Sequence, residues 1–323
     1  MSKIIDTLNA YIERGQPFYS FEFFPPKTDE GVRNLQERQR RMVKLGPAFC
    51  DITWGAGGST ADVTLEVAGA MQQEIGMNTM MHLTCTNMSI EKLHESLEKA
   101  KSMGIRNILA LRGDPPKGET SFTAVDGGFA CALDLVKYIR QEYGDYFGIC
   151  VSGYPETHPD LIVDDPVAME ANYRSDLAYL KAKVEAGADF IITQLFYDVD
   201  CFLAFMRDCR VEGIAVPILP GLMPLMTYGG FKRMTAFCKT RVPAHIAATV
   251  EALKDNDEAI KAYGISLGTL MAQRLLDAGA PGIHMYTLNL EKSAVGILQH
   301  VGLVKVEPEA EEAEEPQRLA ATA

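Results

Sequence analysis

Nine polar or titratable side chains stand at the ends of otherwise apolar runs: Glu22, Thr53, His82, Arg112, Asp114, Tyr154, His158, Gln194 and Tyr286. Their settings read FEFFPPK, TWGAGGS, HLTCT, LRGDPP, GYPETHP, TQLFYD and YTLN, and an eighth run ends in PGLMP. One such residue is readily a satisfied core polar; nine drawn from seven segments point to a shared site. Glu22 lies between Phe21 and the pair Phe23-Phe24, where lost hydration disfavours the charged form and lets an acid keep its proton near neutrality. A proton donor of that kind contributes roughly 10²–10⁴-fold in rate. Its structural alternative is a buried acid paired with Arg or Lys. Asp114 follows Arg112-Gly113 and precedes Pro115-Pro116, so a glycine permits close ligand approach and prolines stiffen the loop; the alternative is a turn-forming Asp beside a structural Arg. His82 and His158 lack a close-spaced Cys, His or carboxylate set, so hydrogen bonding is expected of them and no metal. Trp54 and Phe129 offer flat faces for a planar ligand, although aromatic core is the commoner fate. No lysine sits at a run end to make a Schiff base, and no Gly-x-Ser-x-Gly elbow is present.

Positioning these residues requires eight strands, read at 18–24, 49–55, 78–85, 107–113, 147–154, 190–197, 217–223 and 282–288. Amphipathic stretches separate them, as in IEKLHESLEKAKSMG, where Leu93, Leu97 and Ala100 recur at helical spacing. Helix starts are expected at Ser59-Thr60, Ser89 and Asp200, and helix ends at Gly104, Gly187, Gly213 and Gly279. Alternating strands and helices give a doubly wound sheet or a closed α/β barrel. The count of eight, the short apolar strands and the lack of a dinucleotide fingerprint favour a (β/α)8 TIM barrel. Gly55-Ala56-Gly57-Gly58 lacks the third glycine of that fingerprint. Two or three helices are expected within 229–281. Residues 1–303 read as one domain, and in such a barrel the carboxyl ends of the strands carry the chemistry.

Composition narrows the classes further. With 47% hydrophobic and 23% charged residues the chain is ordinary soluble protein. It has no apolar run long enough to span a bilayer, and its first residues do not read as a secretory signal. A net charge of −12 argues against a nucleic-acid surface. Residues 307–323 hold six Glu and one Arg, or −5, leaving −7 elsewhere; the segment 304–323 is expected to be an acidic, disordered tail. The seven cysteines are scattered without a CxxC pair, as reduced thiols of a cytoplasmic protein would be.

Taken together in order, SFEFFPPKT, DITWGAGGS, HLTC, ALRGDPP, GYPETHP, AGADFIITQLFYD, LPGLMP and HMYTLN resemble the motifs of methylenetetrahydrofolate reductases, over residues 17 to 303. The run DNDEAIKAYGISL resembles the eukaryotic branch. The resemblance implies a barrel with non-covalent FAD at its rim, reduced by NADH or NADPH in a ping-pong cycle. Methylenetetrahydrofolate then takes the donor's place and is reduced to methyltetrahydrofolate, which supplies methyl groups for methionine synthesis. By matching motif positions, Glu22 would be the general acid that assists opening to the iminium. Asp114 would favour that cation, and Gln194 would bind the folate, with Tyr286 beside it. The FAD site would comprise Thr53, Trp54, Ala56, His82, Leu111, Arg112, Gly113, Asp114, Tyr154, His158, Asp176 and Lys183.

Departures from the family pattern are equally specific. Leu290 stands where bacterial members commonly carry Arg after YTLN, and Met234 falls near the position of a folate-stacking Phe. The sequence gives out soon after the barrel, so the S-adenosylmethionine-binding regulatory domain of eukaryotic members is not expected. A homo-oligomer is compatible with the family's habit of association. Two other readings use the same barrel: a folate-binding methyltransferase module without flavin, and a barrel that has lost catalysis and serves as a binding partner.

Overall fold

Runs rich in Val, Ile, Phe and Met pair as strands because both faces of a parallel sheet are buried. In the computed structural model, which describes residues 1–55, 60–114 and 124–305, nine parallel strands form. They are β1 (Phe18–Phe23), β2 (Phe49–Ile52), β3 (Thr79–Thr84), β4 (Asn107–Leu111), β5 (Gly148–Gly153), β6 (Phe190–Thr193), β7 (Ile218–Leu219), β8 (Gly221–Leu222) and β9 (Gly282–Tyr286). Their order is β7-β6-β5-β4-β3-β2-β1-β9-β8. The strand expected over 217–223 is therefore split. Pro220 cannot donate to a ladder, so β7 pairs with β6 and β8 with β9, while the Pro220 carbonyl accepts from His284 N at 3.0 Å. The two halves of this bent strand bring the sheet round into a nearly closed (β/α)8 TIM barrel. The remaining strands end one to four residues before the ends read from sequence, where the chain turns into the rim loops.

Helices cover the outside: α1 (Ile4–Glu13), α2 (Asp29–Val43), α3 (Ala61–Ala70), α4 (Ile90–Ser102), α5 (Ala132–Tyr143), α6 (Pro166–Glu185), α7 (Val199–Val211), α8 (Tyr228–Phe237), α9 (Ala244–Ala252), α10 (Asp257–Asp277) and α11 (Lys292–His300). Three of them, α8 to α10, occupy the long connection before β9. Ser89 caps α4 as expected, accepting from Lys92 N at 3.4 Å. One expected helix start is corrected. Asp198, not Asp200, caps α7, accepting from the amides of Asp200 and Cys201. α3 starts as expected directly after Thr60, which makes no side-chain cap bond; its hydroxyl accepts instead from Gly55 N at 2.7 Å. The glycines at 104, 187, 213 and 279 all adopt positive φ after helix ends.

Alternation along each strand sorts the side chains. Phe21 and Phe23 of β1 face outward into the core shared with the helices. Phe18, Phe49, Met80, Leu109, Cys150, Phe190 and Leu219, from seven different strands, fill the barrel interior. Phe49 and Phe190 meet across it with ring centroids 6.0 Å apart. Ile4 and Leu8 of α1 close this apolar plug from below, and Ile4 N donates to Asn107 Oδ1 at 2.7 Å. Two residues further along β1, β2, β3 and β5 the interior turns polar, at Ser20, Asp51, His82 and Ser152. Among the described residues no helix is long and apolar enough to cross a membrane.

Candidate active site at the carboxyl rim

Above the plug the inward positions read Ser20 and Glu22 on β1, Asp51 on β2, His82 on β3 and His284 and Tyr286 on β9. Parallel pairing sets Glu22 beside both Asp51 and Tyr286. His82 Nε2 meets Asp51 Oδ2 at 2.9 Å and lies 3.7 Å from Glu22 Oε2. His284 Nε2 stands 3.7 Å from Asp51 Oδ2 and 3.9 Å from Glu22 Oε2, while its Nδ1 meets Ser20 Oγ at 2.8 Å. The Glu22 side chain keeps 21% of its exposure, enough to reach a ligand, whereas those of Asp51 and His284 keep none. Glu22 is thus paired with imidazoles rather than with the Arg or Lys of its structural alternative. Burial works against charge on His82, yet the bond to Asp51 and the field of Asp51 and Glu22 hold its pKa above the ordinary value. Glu22, Asp51 and His82 bring donor atoms within 4.8 Å of one another, a spacing open to shared protons or to a cation.

A second group curves from β4 to α6. Arg112 Nη2 donates to Asp160 Oδ2 at 2.8 Å. Gly113 beside it has φ +92°, and a Cβ there would come within 2.7 Å of Thr84 Cβ and 2.9 Å of Thr86 Oγ1, so only glycine fits. Asp114 lies at the rim, where desolvation raises its pKa and Arg112 opposes the rise. Tyr154 packs edge-on to His158, ring centroids 4.8 Å apart. His158 is pushed down to about 4 by burial, aided by the Arg112 charge, and its neutral Nδ1 accepts from Asp160 N at 3.2 Å. Asp176 of α6 accepts from His158 N at 3.0 Å. Lys183 is 3% exposed, donates to Ser152 O at 2.8 Å, and is pushed down to about 8 by burial against the pull of Asp176. Thr157, in the loop between Tyr154 and His158, sits at φ +75°, a strained conformation of the kind concentrated at ligand sites.

On the far side Gln194 follows β6, and its Oε1 accepts from Leu195 N at 2.8 Å. Tyr286 donates to Thr193 O at 2.6 Å; Gly221 permits this, since a Cβ there would lie 2.5 Å from the Tyr286 ring. Thr53 is held by its backbone, its N–H donating to Phe23 O at 2.9 Å. Trp54 is buried with its Nε1 lacking a hydrogen-bond partner among the described residues. Phe129, the other aromatic considered for stacking, packs on Tyr138 instead, ring centroids 5.3 Å apart. Leu111 ends β4, half-buried against the barrel interior. An apolar cavity of about 570 Å³ opens between the residues following β8 and those following β9, with Met226, Phe231, Met234, Leu288 and Leu290 in its wall and Arg233 at its edge. Leu288 has φ +51° and is exposed toward it.

The family model described as methylenetetrahydrofolate reductase matches residues 7–302. The chain belongs to the methylenetetrahydrofolate reductase family. Methylenetetrahydrofolate reductase (NADH) 1 of Arabidopsis thaliana is 60% identical over 302 residues, covering 94% of this chain and 51% of the plant protein. The 5,10-methylenetetrahydrofolate reductase of Pectobacterium carotovorum subsp. carotovorum is 33% identical over 292 residues, covering 90% of this chain and 92% of the bacterial one. The chain therefore spans about half the length of the plant relative. Among solved structures, an uncharacterized protein from Clostridium thermocellum that binds two copies of 5-methyl-5,6,7,8-tetrahydrofolic acid has the same fold, with TM-score 0.59, 15% identity, and coverage of 91% of this chain and 96% of that one.

Within this reductase-family barrel, the residues singled out in the sequence fall into the Glu22 cluster, the Arg112–Lys183 arc and the Gln194–Tyr286 wall. Ala56 lies outside the described residues, as does the acidic tail from residue 306. Met234 and Leu290, the two departures from the bacterial pattern, line one cavity. Sequence reading missed Ser20, Asp51 and His284. Each stands in an otherwise apolar run two positions from a residue that was noticed, and that period of two was the available signal.

Proposed function

We propose that this chain is a flavin-dependent methylenetetrahydrofolate reductase domain, reducing 5,10-methylenetetrahydrofolate to 5-methyltetrahydrofolate with NADH or NADPH as donor in a ping-pong cycle. The observation that carries the reading is Glu22, an acid backed by two imidazoles and facing an open rim, in a chain whose family membership runs through every strand. NADH is the favoured donor, because the Arabidopsis relative at 60% identity bears it in its name.

The Arg112–Lys183 arc fits FAD. Two cations suit a pyrophosphate, the Gly113 cradle admits a ligand against backbone, and the buried Trp54 Nε1 has a donor to offer. Arg112, Asp176, Lys183 and the neutral His158 would hold the cofactor's polar parts, with Thr53, Trp54, His82, Leu111 and Tyr154 against its flat ring and Ala56 in the adjoining loop. The bound flavin supplies hydride transfer.

The chain supplies the rest. Glu22 gives its proton to the folate nitrogen that leaves the bridging methylene, which opens the ring to an iminium. Asp114 sets negative charge near that cation. Gln194, with its carbonyl already engaged, donates to the folate through its NH2, and Tyr286 walls the site beside it. The apolar cavity lined by Met234 and Leu290 suits the aromatic linker of a folate. The seven free cysteines fit a cytoplasmic setting, and self-association follows the family.

The decisive assay is the visible spectrum of the purified protein, taken anaerobically with nicotinamide and then with the folate. A flavin band that bleaches with NADH and returns with methylenetetrahydrofolate is expected. A protein that stays colourless after FAD is added refutes the reading and favours a flavin-free folate-binding module. In Glu22→Gln, flavin reduction should proceed normally while folate reduction drops by roughly 10²-fold or more; undiminished folate turnover would remove Glu22 from this role.

A further inference from the structure

Beneath Glu22 the barrel holds a second carboxylate, Asp51, which no step above uses. Its side chain is fully buried, and its Oδ1 has no hydrogen-bond partner among the described residues. Its Oδ2 faces both imidazoles, at 2.9 Å from His82 Nε2 and 3.7 Å from His284 Nε2. Glu22 Oε2 stands over the same two nitrogens, and the fully buried His284 Nε2 has no hydrogen bond among the described residues. Two carboxylates and two imidazoles thus converge on one small space, and among the described residues no Arg or Lys pairs with either acid. Two bare carboxylates this close in a dry interior repel strongly, so the group is stable only when it holds protons or a cation. The other titratable groups near it are Cys150 on β5 and Tyr286 on β9, which face the interior, and Cys50 on β2, which points outward beside Asp51. Burial raises all three, backed by the Asp51 charge at the two cysteines and by Glu22 ahead of Asp51 at Tyr286, and near neutrality they stay protonated and neutral.

We propose that Asp51, His82 and His284 form a proton store that keeps Glu22 supplied, with Asp51 and His284 as positioning residues for the folate half-reaction. The inference rests on the folate-reducing reading above. When the Glu22 O–H bond breaks, an N–H bond forms on the substrate nitrogen and Glu22 is left as a carboxylate. A proton then passes from the His82 imidazolium: its N–H breaks and an O–H forms on Glu22 Oε2. The 3.7 Å gap is closed by one bridging water or a small turn of the carboxyl. His82 regains its proton from solvent at the rim. One proton is drawn from water per folate reduced, and the hydride comes from the nicotinamide donor, so no further reactant is needed.

The test uses the FAD-loaded full chain and compares wild type with Asp51→Asn. Removing the buried charge lets His82 lose its proton at lower pH. The alkaline limb of the single-turnover folate half-reaction should therefore move down by about one pH unit, a tenfold rate loss on that limb. The nicotinamide half-reaction and FAD affinity should stay within twofold. Histidine ring NMR provides a readout that does not depend on turnover. In wild type one imidazole should titrate above the ordinary value of about 6.5, and that resonance should fall by about one unit in Asp51→Asn. Identical pH profiles in the two proteins would overturn the proposal, as would a stoichiometric divalent ion in the purified protein. If Asp51→Asn fails to fold, the wild-type titration decides alone, and no imidazole titrating above the ordinary value refutes the store. A wild type that never reduces the folate, with the raised imidazole present, instead sinks the reductase reading and this use of the cluster with it.

Discussion

Replacing Lys183 by Met should stabilise the protein at neutral pH and weaken its hold on FAD. The ammonium is 3% exposed, and burial pulls it from the ordinary lysine value to about 8. With 10.5 as the unfolded value, the shift spans about 2.5 units, or roughly 3 kcal/mol of cost for keeping the charge inside. The sign follows from proton counting. Between pH 8 and 10.5 the unfolded chain binds more protons than the folded one, so wild-type stability rises across that window. Below pH 8 the full cost is present. Met removes the charge at similar length but loses the hydrogen bond to Ser152 O, worth about 1 kcal/mol. Lys183→Met should therefore be more stable than wild type by about 2 kcal/mol at pH 7 and less stable by about 1 kcal/mol near pH 11, the difference changing sign within the window. Urea unfolding of the FAD-free protein at a series of pH values measures this. A constant offset between the two proteins would refute the reasoning, because it would mean that Lys183 does not titrate on unfolding in this range. FAD affinity of the variant, read by flavin fluorescence, should fall in the same experiment.

Two further outcomes are expected. Burial holds the Glu156 carboxyl up at about 7 despite the hydrogen bond it accepts from Arg241 N at 2.8 Å. The folded chain then keeps this proton while the unfolded chain sheds it, and stability falls as pH rises from 4.5 to 7. Glu156→Gln should flatten that fall and gain about 2 kcal/mol at pH 8, measured by thermal melts across the range. Gly113→Ala places a Cβ 2.7 Å from Thr84 Cβ at φ +92°, costing about 1–3 kcal/mol from backbone strain alone; flavin should leave the variant at a lower temperature in a fluorescence-monitored melt.

Much of this molecule is legible in its sequence because the signals are local. Short apolar runs set between amphipathic stretches give the barrel, and the polar residues closing seven of the eight runs give the rim, with Glu22, Asp114, Gln194 and Tyr286 all present there. Pro220 shows where local reading stops. Its run looks like one strand, but a proline in the ladder divides it, and only pairing with β6 on one side and β9 on the other shows that both halves are needed to bring the barrel round. Asp51 and His284 mark a deeper limit. Both faces of a parallel barrel strand are apolar, so a lone polar residue does not reveal whether it points inward or toward the helices. They lie more than 230 positions apart in the chain, and strand order and register alone bring them within 3.7 Å of each other beneath Glu22. Residue type is written along the sequence; which charges share a dry space is decided by the closure of the sheet.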